Sequence, residues 1–155
     1  MAHFAELDEN NIVVKVTVVD NNIETSSGKL GINDKHVDGE TWCKNFFNQP
    51  DTTFKQTSYN HNFRKQYAVI GGSYDSDKDK FIKPQPEGDG WTVNSDGDWV
   101  EPDGYPSKKT YTHESVTLPW DIRWNAGTSG WTGVQIKIDE NKIWTWNNSS
   151  EDWEE

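Results

Sequence analysis

Three stretches of this chain share one frame, and that frame sets the fold class. Tyr74-Asp75-Ser76 leads to Phe81-Ile82-Lys83-Pro84, Val93-Asn94-Ser95 leads to Trp99-Val100-Glu101-Pro102, and Trp146-Asn147-Asn148 leads to Trp153-Glu154-Glu155. Each opens on a large apolar residue followed by Asp or Asn. Each runs through a short polar stretch and closes on an aromatic with a charge close behind. A β-hairpin needs this arrangement. An Asx side chain turns the chain by accepting bonds from its own backbone, and the flanking large residues then face each other across two strands. LDENNIV (Leu7 to Val13) and IDENKIW (Ile138 to Trp144) repeat the theme with shorter loops. The spacing between copies is irregular, which excludes a solenoid and predicts a series of small hairpins or meanders.

The first frame contains Asp75, Asp77 and Asp79 at alternate positions, as a calcium loop would. Such a loop wants Gly at its sixth position and a bidentate Glu at its twelfth. Counted from Asp75 those positions hold Lys80 and Pro86, and Lys78 adds a second cation to the supposed site. Counted from Asn94 the twelfth position is Tyr105. The aspartates therefore read as turn chemistry, and no metal site is expected.

A mostly β chain of this kind still needs a core. Only 32% of its 155 residues are hydrophobic and the formal net charge is -11, both of which lean towards disorder. Nine Trp, six Phe and five Tyr pull the other way, because each aromatic buries a large area. The core is expected to be aromatic rather than aliphatic. The acidic balance argues against nucleic acid and anionic membranes as partners, since both need a basic footprint. Cys43 is the only cysteine, which rules out an internal disulfide. The N-terminus has neither a basic region nor an apolar core, so no signal peptide is expected.

Along the chain, HFAELDENNIVVKVTVVD reads as a hairpin. Its second strand runs from Ile12 to Val19, with Val14, Val16 and Val18 on one face, and it is expected to be well buried because Val13 and Val19 make the other face partly apolar too. Residues 24–37 read as loop. One short helix is expected near residues 39–48. Asp38 would cap it, Pro50 lies beyond its end, and Trp42, Cys43, Phe46 and Phe47 share a face turned towards the N-terminal strands. Cys43 reads as a small core residue. Tyr67 to Ile70 reads as a strand, and Gly71-Gly72 as a bulge or tight bend. Proline-rich connectors at 84–90 and 101–106 separate an α+β portion, residues 1–84, from Trp-rich hairpin modules, residues 85–155.

Two long words in the sequence resemble a known group. MAHFAELDENNIVVKVTVVDNN, and QTSYNHNFRKQYAVIGGSYD (Gln56 to Asp75) followed by FIKPQP, resemble small proteins encoded by tailed bacteriophages of marine bacteria such as cyanophages and pelagiphages. A WxxN…W hairpin, here Trp91-Thr92-Val93-Asn94…Trp99, belongs to the same resemblance. It extends to about residue 102 with a gap at 21–40; LPWDIRW (Leu118 to Trp124) lies outside it. The resemblance implies a phage origin and a structural part of the virion, assembled in the host cytoplasm, with no catalytic motif.

Three classes of function are then to be weighed. A non-enzymatic outer capsid decoration or cement protein would bind the major capsid protein, other virion proteins or further copies of itself. A tail- or fibre-associated module would hold host surface glycan. A lytic enzyme would need a carboxylate pair, and none stands out. His3, His36, His61 and His113 have no metal-ligand spacing, and neither a phosphate loop nor GxSxG is present. No catalytic residue and no cofactor are expected. Candidates for contact with a partner or glycan are Trp120, Arg123, Trp124, Trp131 and Trp153, together with Arg64 and Tyr67. The bland alternative is that these tryptophans pack against one another, and that Arg64 supports the fold by lying on an aromatic ring. The acidic C-terminal end would fray unless Trp153 is anchored.

Overall fold

The computed structural model describes residues 1–30 and 37–155. The chain is mainly β with one short helix, and it divides into two compact units. One comprises Met1–Gln85 with Asn94–Asp98; the other comprises Pro86–Val93 with Trp99–Glu155.

The first unit is built on a sheet of order β2-β1-β5, from β1 (Ala2–Leu7), β2 (Val13–Val19) and β5 (Thr53–Thr57). β1 is the central strand and is buried on both faces. Its even positions Ala2 and Phe4 join Val19, Leu30, Cys43 and Phe54, while Ala5 and Leu7 join Val13, Ala68, Tyr74 and Phe81. The β1–β2 turn is an Asx turn in which Asp8 Oδ1 accepts from the backbone of Asn10 (2.9 Å) and Ile12 (2.8 Å). Two small hairpins complete the strands of this unit: β3 (Glu24–Thr25) with β4 (Gly28–Lys29), and β6 (Ser73–Asp75) with β7 (Lys80–Ile82).

The helix α1 (Val37–Phe46) starts two residues earlier than the sequence suggests. Asp38 accordingly lies in its first turn rather than at its cap, and His36 is outside the described residues. The helix ends in a Schellman motif, the Gln49 N–H bonding the Lys44 carbonyl (2.9 Å) and the Asn48 N–H that of Asn45 (3.2 Å). Asn48 takes the left-handed conformation (φ 53°) that this stop requires. Cys43 is fully buried under the sheet, whereas Phe46, expected on the inner face, is 66% exposed and stacks on Trp42 at 4.6 Å. Burial pushes the Cys43 thiol up to about 12. Native protein at neutral pH is therefore expected not to react with a thiol reagent, and to react fully once unfolded; rapid modification of the native chain would contradict this packing.

Two strand expectations are corrected. In β2 the well-buried residues are Val13 and Val19, whereas Val14 and Val18 are 46% and 50% exposed. A β-bulge between Glu6 and Leu7 pairs Leu7 with Val13 but Glu6 with Lys15, so the buried side of β2 switches sheet face along its length. Tyr67 to Ile70 form no strand. Side chains satisfy their backbone instead: Tyr67 N–H donates to His61 Nδ1 (3.1 Å) and Ala68 N–H to Thr57 Oγ1 (2.7 Å).

The second unit contains a small hairpin of β8 (Thr92–Val93) and β9 (Trp99–Val100), and a two-stranded sheet of β10 (Thr110–His113) and β11 (Val116–Pro119). Its main sheet is an antiparallel meander of β12 (Asp121–Asn125), β13 (Gly130–Gln135), β14 (Asp139–Asn147) and β15 (Asp152–Glu154). The segment LPWDIRWNAGTSGW supplies the end of β11, all of β12 and the start of β13, with Trp124 directly opposite Trp131.

The three frames form hairpins whose closing residues pair face to face: Tyr74 with Phe81, Val93 with Trp99, and Trp146 with Trp153. IDENKIW behaves differently. Its chain reversal comes earlier, at residues 136–138, and the acidic run makes an irregularity in β14 where Gln135 pairs with Asp139 but Val134 with Ile143.

Candidate functional site

The aspartates of the first frame are engaged in turn chemistry. Asp75 Oδ1 accepts from the backbone N–H groups of Asp77 (3.1 Å) and Lys78 (3.0 Å), and its other oxygen pairs with Lys78 Nζ at 3.0 Å. These bonds from Lys78 hold the Asp75 carboxyl below its ordinary range. Asn94 Oδ1 likewise accepts from Asp96 (2.9 Å) and Asp98 (3.0 Å). Among the described residues no group of three or more His, Cys, Asp and Glu is placed to hold a metal ion.

Asp79 belongs to a different assembly. Arg64 donates through Nε to Asp79 Oδ1 (2.6 Å), and through one terminal nitrogen to both Glu40 Oε1 (2.8 Å) and the Gln56 carbonyl (2.8 Å). Glu40 Oε1 also accepts from the Gln56 N–H at 2.9 Å, and the guanidinium lies 5.6 Å from the Tyr74 ring centroid. Gln56 sits on β5, an edge strand. Helix and loop thus use an ion pair to occupy backbone groups that would otherwise invite another strand. Arg64 is only 8% exposed and Glu40 7%, which removes Arg64 from the accessible contact residues. Arg64 and Lys65 both hold left-handed backbone (φ 53° and 66°), a costly conformation for such side chains that the network keeps in place.

Tyr74 closes this network by donating to Asp79 at 2.5 Å. Burial first, then that hydrogen bond, pushes its phenol up to about 12. The neutral phenol is the form the fold favours. Its contribution is complete below the ordinary tyrosine value of about 10 and is lost as pH rises through the folded value. Ultraviolet titration should show Tyr74 ionising last, after Tyr67 and Tyr105, whose values burial also raises, together with alkaline loss of structure, and Tyr74→Phe should abolish that last step. Ionisation of every tyrosine near its ordinary value would contradict this.

Tyr67 sits in an aromatic triangle, 5.5 Å from His3 and 5.6 Å from Tyr59, while His3 stacks on Tyr59 at 5.9 Å. Burial, then the amino terminus, lowers the His3 value and favours the neutral ring. Tyr59 is the exposed member, at 69%.

The tryptophan candidates divide by burial. Trp120, Trp131 and Trp153 are all below 10% exposed, so the expectation that they offer surface rings is corrected. They pack with Tyr111 and Trp146, in chains of ring contacts such as Trp120–Trp153 at 4.9 Å and Trp146–Trp153 at 5.3 Å. Gly133 makes room for them, since a Cβ there would lie 2.9 Å from the Trp153 ring and 3.0 Å from Trp120. The aromatic core expected from composition is therefore this one; the first unit mixes Phe with Val, Leu and Ala. Trp124 is half-buried, 4.9 Å from Trp131, and Arg123 is exposed and paired with Asp121 at 2.5 Å.

Two concavities were not foreseen. An apolar groove of about 230 Å³ runs along Val18, Ile23, Trp42, Phe46 and Phe47 in the first unit. A cleft of about 280 Å³ in the second unit is lined by Gly104, Tyr105, Ser107, Trp146, Asn148 and Glu151. Asn148 and Glu151 belong to the turn of the third frame, whose polar residues read from sequence as turn formers only. No helix among the described residues is long and apolar enough to cross a membrane. Compared with protein-family models, with curated proteins and with solved structures, the chain matches none.

Proposed function

We propose that this chain is a non-enzymatic structural protein of a tailed-phage virion, placed on the outer capsid as a decoration or cement protein that binds the major capsid protein. One observation carries the reading. The two long stretches that resemble the marine-phage group lie in β1–β2 and in the segment from the end of β5 to β7, so the likeness follows the framework of one cored unit. A part that folds around its own core and binds only the assembled lattice stabilises that lattice by mass action. Heads lacking the protein are expected to release DNA at a lower temperature than complete heads, and added protein should restore the difference. Heads that are equally robust without it would refute a cement role.

A second reading, a tail- or fibre-associated module that holds host surface glycan, is favoured by the cleft beside Tyr105 and Trp146, where aromatic rings and polar side chains converge.

A further inference from the structure

We infer that this cleft is a subsite for a single neutral sugar ring, held by Asn148 and Glu151 beside Tyr105. The inference gives that second reading its atoms, but the site can be tested wherever on a particle the protein sits.

Two elements make the cleft. The loop after β9 brings Gly104, Tyr105 and Ser107, and the end of β14 with its following turn brings Trp146, Asn148 and Glu151. Asn148 is oriented by its neighbour: Trp146 Nε1–H donates to Asn148 Oδ1 at 3.0 Å. With its oxygen engaged, the carboxamide has its two N–H donors left to offer. Among the described residues, the Glu151 carboxylate and the Ser107 hydroxyl have no protein partner. The cleft therefore combines an oriented amide donor, a carboxylate acceptor and a hydroxyl that can serve as either, beside two aromatic side chains.

That combination selects among ligand classes. Glu151 and the overall acidity disfavour an anion. A cation would look for an aromatic face, but Lys109 Nζ already lies 5.4 Å from the Tyr105 centroid, held there by Glu101 at 2.5 Å. A wholly apolar ligand would strand the open polar groups. A neutral polyol meets these requirements: carboxylate and amide take adjacent hydroxyls, and the C–H edge of the ring meets the part of the half-buried Tyr105 that lines the cleft, while Trp146, 8% exposed, serves to orient Asn148. The volume of about 280 Å³ falls just below the ~300–1,000 Å³ of drug-sized sites, which suits one ring rather than a chain.

The test uses the full chain, labelled with nitrogen-15, and follows the Trp146 indole N–H and the Asn148 side-chain amide during titration with single hexoses and N-acetylhexosamines. At least one sugar should shift both signals saturably in the millimolar range, the strength a dozen heavy atoms supports. Glu151→Gly suits the left-handed turn (φ 50°) while removing the carboxylate, and should weaken binding about tenfold with the indole spectrum otherwise preserved. Asn148→Ala should do the same, and its fold is checked by the dispersion of the remaining indole signals. No saturable shift with any sugar, a shift that neither substitution weakens, or a response to choline alone would overturn the assignment.

Discussion

Replacing Arg64 by Met should destabilise the first unit by about 3–5 kcal/mol, because it leaves a buried carboxylate without its partner. Arg64 joins the helix through Glu40, the edge strand through the Gln56 carbonyl, and the β6–β7 turn through Asp79. Lys55 lies 3.5 Å from the second Glu40 oxygen, a longer contact than the 2.8 Å bond that Arg64 makes to the first. Combining Arg64→Met with Glu40→Gln should recover at least about 1 kcal/mol, since the stranded charge is gone and an acceptor for the Gln56 N–H remains. Urea unfolding followed by far-ultraviolet circular dichroism reads both variants. If Arg64→Met unfolds at nearly the parental urea concentration, the network is not what holds the edge, and Arg64 becomes a contact candidate again.

Trp153→Ala is the second large effect, with an expected cost of about 3–5 kcal/mol to the second unit. Trp153 is the third residue from the end of the sequence, yet it is 8% exposed. Its indole donates to the Lys108 carbonyl at 2.8 Å, its ring meets Trp120 and Trp146, and its backbone pairs with Trp146. Truncation removes the ring, leaves the Lys108 carbonyl without this donor and loosens the last strand. Every tryptophan except Trp42 belongs to the second unit, so tryptophan emission reports this loss almost exclusively. An unchanged unfolding midpoint by fluorescence would mean that the final strand is dispensable to the aromatic core.

These two residues also mark how far the sequence could be read. The hairpin frames were legible because everything they need is local: an Asx acceptor, a short polar run, and large residues that close the turn. That information fixed the Tyr74–Phe81 and Trp146–Trp153 pairs and the mainly β class. Other features depended on distant residues. The Glu6/Leu7 bulge changes which side of β2 is buried, and no periodicity count on β2 alone could show it. Tyr67 to Ile70 had strand composition, but Thr57 and His61 took their backbone bonds. Strand β5 was hidden because TFKQT carries only one large apolar residue and takes its place from β1 and from Arg64. Trp120 and Trp131 could not be sorted into core or surface from their neighbours in sequence, because the space they fill is left by Gly133 and Gly88 respectively, residues with no side chain to signal it. Asn148 and Glu151 were visible as turn formers, but their position beside Tyr105 comes only from folding the sheet.

The proposal that this chain is a capsid decoration protein makes a stoichiometric statement, so it should be tested by counting. Intact particles of a phage encoding the chain can be purified and the protein quantified against the major capsid protein by mass spectrometry. A decoration protein should be present in a fixed, high ratio to the shell subunit. A handful of copies per particle would contradict the capsid placement and favour a tail or fibre position, while absence from the particle would overturn the virion reading altogether.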